Sequence, residues 1–181
     1  MATEAPPGEL DMAAPPFALR ATDGRTYTLA DVRGARGVVI AFICNHCPYV
    51  KAVLPAMVRD ALALRAFGIG FVGINANDAV EYPDDSFDAM VALAEDAELP
   101  FFYLHDGTQE VARAYGAVCT PEFFGFDARL RLRYRGRLDA SRRSAVAGAR
   151  RELFDAMREV ALTGAASGEQ IPALGCSIKW K

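Results

Sequence analysis

Gly37-Val38-Val39-Ile40-Ala41-Phe42-Ile43-Cys44-Asn45-His46-Cys47-Pro48 decides how the rest of the chain is read. Gly37 to Ile43 is a continuous β-branched run, the pattern of a strand buried on both faces of a parallel sheet. Beyond it Val50, Val53, Leu54, Met57, Val58, Ala61, Leu62 and Leu64 recur at three and four, which predicts a helix ended by Gly68. Cys44 and Cys47 therefore sit where a strand turns into a helix, spaced so that they stack on one helical turn within bridging distance. Proline lacks an N–H, which is harmless only in a first helical turn, so Pro48 places the helix start between Cys44 and Cys47. Cys44 is then expected at or near the N-cap, facing the orphan N–H groups, as an exposed nucleophile of lowered pKa. Cys47 is expected as the buried resolving thiol, and His46 as a neighbour that lowers the thiolate pKa further. A lowered pKa stabilises the reduced form and makes the disulfide more oxidising.

Outward from this stretch the pattern is α/β. Phe17 to Arg20 alternates as a strand, Asp23-Gly24 signals a hairpin turn, and Arg25 to Leu29 returns. Ile69 to Ile74 is a second buried strand, Asp85 to Leu99 a helix, Phe101 to Leu104 a third strand and Gln109 to Tyr115 a short helix. Phe123–Asp127 and Leu130–Tyr134 form a hairpin, and Ala145 to Leu162 a last amphipathic helix. Strand–helix–strand units followed by an antiparallel hairpin and a helix predict a mixed central sheet flanked by helices. Residues 1–14, rich in Pro and Gly, are expected as a flexible lead-in, 15–163 as one domain, and 164–181 as a docked C-terminal tail.

The 181 residues suit one domain, and an apolar content of 52% supplies a core without disulfide staples. A net charge of -3 argues against nucleic-acid or anionic-membrane partners, which need a basic face. The N-terminus has no signal-peptide pattern and no apolar run could span a bilayer, so a cytoplasmic location is expected. That compartment is reducing, which makes the four cysteines catalytic, metal-binding or buried rather than structural bridges. No phosphate-cradling glycine motif occurs, and no cofactor and no metal is assigned.

The remaining candidates lie downstream. Thr120-Pro121 opens the Phe123 strand, and Cys119 is expected near the cysteine pair, either as a small buried hydrophobe or as a third redox or metal thiol. Asn75, Asn77, Asp78 and His105 fall at the same sheet edge as Cys44, where α/β sites form. Asp84-Asp85-Ser86 is a plain helix N-cap signal. Cys176 stands in a tail whose Ile178 and Trp180 are apolar anchors, so docking is expected to bring it near another thiol, Cys119 or Cys44.

Phe42-Ile43-Cys44-Asn45-His46-Cys47-Pro48-Tyr49-Val50-Lys51 resembles the signature of a bacterial branch of thioredoxin-like redoxin proteins in the alkyl hydroperoxide reductase/thiol-specific antioxidant superfamily. Further matching stretches are Ile74–Asp78, Tyr82–Phe87, Tyr115–Glu122 and the closing Gly175-Cys176-Ser177-Ile178-Lys179-Trp180-Lys181. The resemblance implies a thioredoxin-like fold with an N-terminal β-hairpin, an inserted strand–helix unit and a Cys44/Cys47 redox pair. It also implies a cis Thr120-Pro121 bond packed against the pair, with backbone groups free for a substrate strand. Two departures stand out. Ile43 and Asn45-His46 replace the Trp and Gly-Pro of ordinary thioredoxins, and Ile40 to Ile43 lack the Pro and Thr of the peroxiredoxin motif Pro-x-x-x-Thr-x-x-Cys.

The expected activity is dithiol–disulfide exchange with a protein or small-molecule thiol or disulfide partner. Cys44 attacks, Cys47 resolves and Thr120-Pro121 holds the substrate backbone. The alternatives are a thiol peroxidase resolved by Cys47 or Cys176, and a non-enzymatic Cu(I)- or Zn-binding module using Cys44, Cys47, Cys119 and His46. Nothing in the sequence sets the oligomeric state.

Overall fold

A computed structural model describes residues 2–181. The buried run of Gly37–Phe42 is strand β4, and its period of two divides the core into layers. Val39 and Ala41, with Ile43 just beyond the strand, face one layer, while Val38, Ile40 and Phe42 face the other. On the first side pack α2 (Pro48–Arg65), α3 (Phe87–Asp96) and α5 (Glu152–Thr163), through Val53, Met57 and Leu64, Met90, and Leu153, Met157 and Val160. On the second side pack α1 (Leu29–Val32) and α4 (Glu110–Tyr115), through Leu29 and Val32 and through Ala112 and Tyr115. Helices on both faces explain why β4 carries no polar alternation.

β2 (Ala18–Ala21), β3 (Thr26–Thr28), β5 (Ile69–Asn75) and β6 (Phe102–His105) form a group in the order β3-β2-β6-β5. β4, β8 (Glu122–Asp127) and β9 (Leu132–Gly136) form a second group in that order. The two run side by side along β5 and β4, where the Arg36 N–H donates to the Gly68 carbonyl and the Ile43 N–H to the Ile74 carbonyl, each at 2.9 Å. β5 and β6 are parallel, whereas β2–β3, β2–β6, β4–β8 and β8–β9 are antiparallel, so the sheet is mixed as expected.

The structure departs from the sequence reading in three places. The last helix begins at Glu152 rather than Ala145, because Gly148 takes a left-handed conformation (φ 68°) that interrupts a helix. Asp85 lies in a 3-10 turn (Pro83–Asp85), and α3 starts only after the Ser86 N-cap, whose hydroxyl accepts the Ala89 N–H at 3.3 Å. The Pro-rich lead-in contains strand β1 (Ala2–Glu4), which pairs with strand β10 (Leu174–Ser177) of the tail. On its other edge β10 pairs with β7 (Cys119–Thr120), giving a small sheet ordered β1-β10-β7.

A buried ion pair shapes the approach to β7. Arg135 donates from Nε and Nη2 to Glu122 Oε1 at 2.8 and 2.6 Å, and from Nη2 to the Gly116 carbonyl at 2.7 Å. The other Glu122 oxygen accepts the Val118 N–H at 2.8 Å and the Cys119 N–H at 3.4 Å. Glu122 is fully buried, so removing its cation strands a desolvated carboxyl group. Arg135→Met is expected to lower unfolding stability by about 3–5 kcal/mol, read as a fall in the urea midpoint. A midpoint equal to that of the wild type would show that the loop does not depend on this pair.

Candidate functional site

β4 ends at Phe42, and Ile43 to Asn45 carry the chain over the sheet edge into α2. Pro48 is the first residue of α2, and Cys47 is its N-cap. The helix thus begins at the late end of the predicted window, and Cys44 lies in the preceding loop. The expectation of an exposed Cys44 at the N-cap is corrected by this placement: both sulfur-bearing residues are buried, Cys44 at 1% and Cys47 at 0% exposure. All four cysteines are free thiols.

Asp85 organises this loop. Its Oδ1 accepts the Asn45 N–H at 2.7 Å, and its Oδ2 accepts Asn77 Nδ2 at 2.7 Å and lies 2.6 Å from His46 Nδ1. Asn45 is further held by Tyr103, whose hydroxyl donates to Asn45 Oδ1 at 2.8 Å, and by its own Nδ2 donating to the Asp84 carbonyl at 3.0 Å. The His46 ring stacks on Tyr82, with centroids 5.9 Å apart and planes 7° apart. Sequence reasoning missed Asp85, because the Ser86 cap beside it accounts for the local pattern and its partners lie as far as forty positions away. Asn77, by contrast, stood at the sheet edge where sites form.

Thr120 is the second support. Its hydroxyl lies 3.3 Å from Cys44 Sγ, and its carbonyl accepts the Cys47 thiol at 3.2 Å. The Thr120–Pro121 bond is cis, as the sequence reading had it. The residue opposite Thr120 in the β10–β7 register is Cys176. Cys176 packs against the cluster that holds Cys44 and Cys47, one register position from Cys119, and its thiol shifts the pKa of Cys47 and of Cys119.

Cys119, next to Thr120 and on the other side of the strand, packs with Ala5 and Ala173. Its Sγ lies 3.9 Å from the Ala173 carbonyl and 4.0 Å from Glu122 Oε2. Burial and the Glu122 charge push this thiol far above its ordinary range. That environment suits a small buried hydrophobe. The four donors considered for a metal therefore do not converge. A different trio does: Cys44, His46 and Asp85 offer donor atoms all within 4.8 Å of one another.

Electrostatics divide the pair. The hydrogen bond with Cys47 raises the Cys44 thiol, and burial and the Asp85 charge act in the same sense. The hydrogen bond from Cys44 holds Cys47 well below the ordinary thiol range, against burial. The Cys176 thiol and the backbone N–H groups of Val50 and Cys176 add to that lowering. Cys176 itself is pushed up to about 11 by burial and by its bond with Cys47. The directions therefore differ between the two sulfurs, Cys47 lowered and Cys44 raised.

The remaining tail is pinned around the same edge. The Ile178 N–H donates to the Val118 carbonyl at 3.0 Å, and the Lys179 N–H to Asn77 Oδ1 at 2.9 Å. The Lys179 carbonyl accepts the Asp78 N–H and Gln109 Nε2, each at 2.8 Å. Ile178 is buried, whereas Trp180 stays partly exposed beneath the Arg113 guanidinium, 4.4 Å from its ring centroid. Gly175 is required for close approach: a Cβ there would lie 2.0 Å from the Thr120 carbonyl oxygen.

A mixed sheet between helices, with a thiol pair at a strand–helix junction, defines a thioredoxin-like fold. A thioredoxin domain of a Bacteroides vulgatus thiol-disulfide oxidoreductase superposes with a TM-score of 0.60 at 16% identity, covering 75% of this chain and 90% of that one. Residues 10–135 match the AhpC/TSA family, and the chain belongs to that family. It is similar over its whole length to an uncharacterized conserved protein from Geobacillus kaustophilus, at 46% identity and a TM-score of 0.93, covering 97% of that chain. A hypothetical protein from Sinorhizobium meliloti 1021 is 34% identical with a TM-score of 0.90, covering 99% of this chain and 98% of that one. No curated protein matches. Among the described residues no helix is long and apolar enough to cross a membrane.

A thiol of lowered pKa keeps its charge as pH falls below the ordinary value of about 8.5. Thiolate absorbance titrated against pH should therefore show a low step in the wild type that survives in Cys44→Ser, whose hydroxyl still donates to Cys47. The step should vanish in Cys47→Ser. The reverse pattern would return the charge to Cys44. In the Cys47→Ser background, Asp85→Asn should shift the remaining Cys44 titration downward, since it removes a charge that disfavours the thiolate.

Proposed function

We propose that this protein is a thiol–disulfide oxidoreductase whose redox centre is the Cys44/Cys47 pair. The observation that carries the reading is the joint anchoring of both sulfurs on Thr120, one on its hydroxyl and one on its carbonyl. The two thiols meet on Thr120 at the start of a helix, which favours a thiolate and presents the two sulfurs for bridging. In the net reaction a partner disulfide accepts two electrons from the pair and two protons, one from the pair and one from water, and the Cys44–Cys47 bond forms. His46 and Asp85 hold the loop in shape, and Thr120 holds the two thiols together. Thiol or disulfide partners follow from the family, and the identity of the partner is open to trapping.

Membership of the AhpC/TSA family makes peroxide the competing oxidant. The residues upstream of Cys44 disfavour it: Ile40 to Ile43 are apolar and buried, and supply no hydroxyl or guanidinium to polarise a peroxide. The convergence of Cys44, His46 and Asp85 favours one second reading, a soft-metal site. Two Asp85 oxygens already occupied by Asn45, Asn77 and His46 oppose it.

Stopped-flow oxidation of the reduced protein separates the readings. Hydrogen peroxide should react at a rate close to that of an ordinary thiolate, while a disulfide should convert the dithiol to a Cys44–Cys47 bond. A peroxide rate several orders of magnitude above a free thiol would favour the peroxidase. Stoichiometric zinc uptake that blocks oxidation, and that is lost in Asp85→Asn, would favour the metal site.

A further inference from the structure

Neither thiol of the proposed redox pair can be reached from solvent as the chain stands, for Cys44 and Cys47 are both buried. The edge of Thr120, where an incoming strand would pair, is occupied by the protein's own β10. Among the described residues Cys176 is the one thiol that is not buried. It sits on β10 opposite Thr120, packs against the cluster that contains Cys44 and Cys47, and its thiol and that of Cys47 shift one another. Its position is not left to chance. Ile178, Lys179 and Lys181 are tied through Val118, Asn77, Asp78 and Gln109, and Gly175 allows the backbone to touch Thr120.

We propose that Cys176 is a further catalytic thiol, the entry point through which an external disulfide exchanges with the buried Cys44/Cys47 pair. The inference rests on the exchange reading above and adds the route to it.

The chemistry balances without another reagent. Cys176 gives its proton to water and attacks a substrate disulfide R–S–S–R. A Cys176–S–R bond forms, the substrate bond breaks, and the departing RS⁻ takes a proton back from water. The Cys47 thiolate then attacks the Cys176 sulfur, forming Cys47–Cys176 and expelling the second RS⁻, which takes the proton of Cys44. Cys44, now a thiolate, attacks Cys47 and forms Cys44–Cys47. Cys176 leaves as a thiolate and recovers a proton from water. Two electrons have passed from the buried pair to R–S–S–R, and Cys176 is unchanged. Each step joins sulfurs gathered around Thr120, Cys176 across the strand pairing, Cys47 on its carbonyl and Cys44 on its hydroxyl.

The test uses glutathione disulfide as probe and the full-length reduced protein. In Cys47→Ser the relay stalls at its first intermediate, so non-reducing peptide mapping should find the glutathione adduct on Cys176. An adduct on Cys44 would overturn the proposal. In Cys176→Ser the tail keeps its cover over the pair but loses its thiol, and formation of the Cys44–Cys47 bond should slow by about tenfold or more. A rate equal to or faster than the wild type would overturn the relay while leaving the pair itself intact. A wild-type protein that forms no Cys44–Cys47 bond would instead overturn the exchange reading, and the relay with it. Because the tail is unaltered in Cys47→Ser, the mapping result stands even where Cys176→Ser loosens β10.

Discussion

The site depends on one buried carboxyl group. Asp85 is fully desolvated, which is costly unless every oxygen finds a donor. It accepts the Asn45 N–H and Asn77 Nδ2, each at 2.7 Å, and its Oδ2 lies 2.6 Å from His46 Nδ1. Two of these belong to the loop between β4 and α2, so the demand for satisfied hydrogen bonds sets the path of the chain through Cys44 to Cys47. The third, Asn77, passes the constraint on, since its carbonyl oxygen receives the Lys179 N–H of the tail. Redox loop, β5 loop and C-terminal segment are thereby parts of one polar network beneath the sheet edge.

Thr120 closes the arrangement from the opposite side. A single residue meets Cys44 through its hydroxyl, Cys47 through its carbonyl and Cys176 across a strand pairing. Glu122 and Arg135 hold the backbone that leads to it. The consequence is electrostatic as well as geometric. Both neighbouring thiols lower Cys47, whereas Cys44 faces the Asp85 charge, and the two otherwise similar thiols are shifted in opposite directions. A thiolate stabilised in this way favours the dithiol over the disulfide.

Much of the frame was legible because it rests on short-range pattern. The apolar run of β4, the Asp23-Gly24 turn and the three-and-four spacing of α2 each encode one element, and the Cys-x-x-Cys spacing marks its junction. What was not legible depends on partners distant in sequence. The Pro-rich lead-in holds β1 only because β10, some 170 positions later, supplies its hydrogen bonds. Asp85 looks like half of a cap until Asn45 and His46 fold against it. The Cys44 assignment turned on a window of four residues: Pro48 is compatible with a helix starting anywhere in the first turn, and the loop chose the last position. The tail was expected to dock, but its register, which aims Cys176 at Cys47, is set by pairing with Thr120.

The most direct test of the central claim, that Cys44 and Cys47 form a redox couple whose reduced form is stabilised by a thiolate, is an equilibrium redox titration in thiol–disulfide buffers. The account predicts a single two-electron transition, lost in Cys44→Ser and in Cys47→Ser, with a midpoint more oxidising than the roughly -270 mV of thioredoxin. A chain that keeps both thiols across the whole range, or a transition that survives both substitutions, would contradict it.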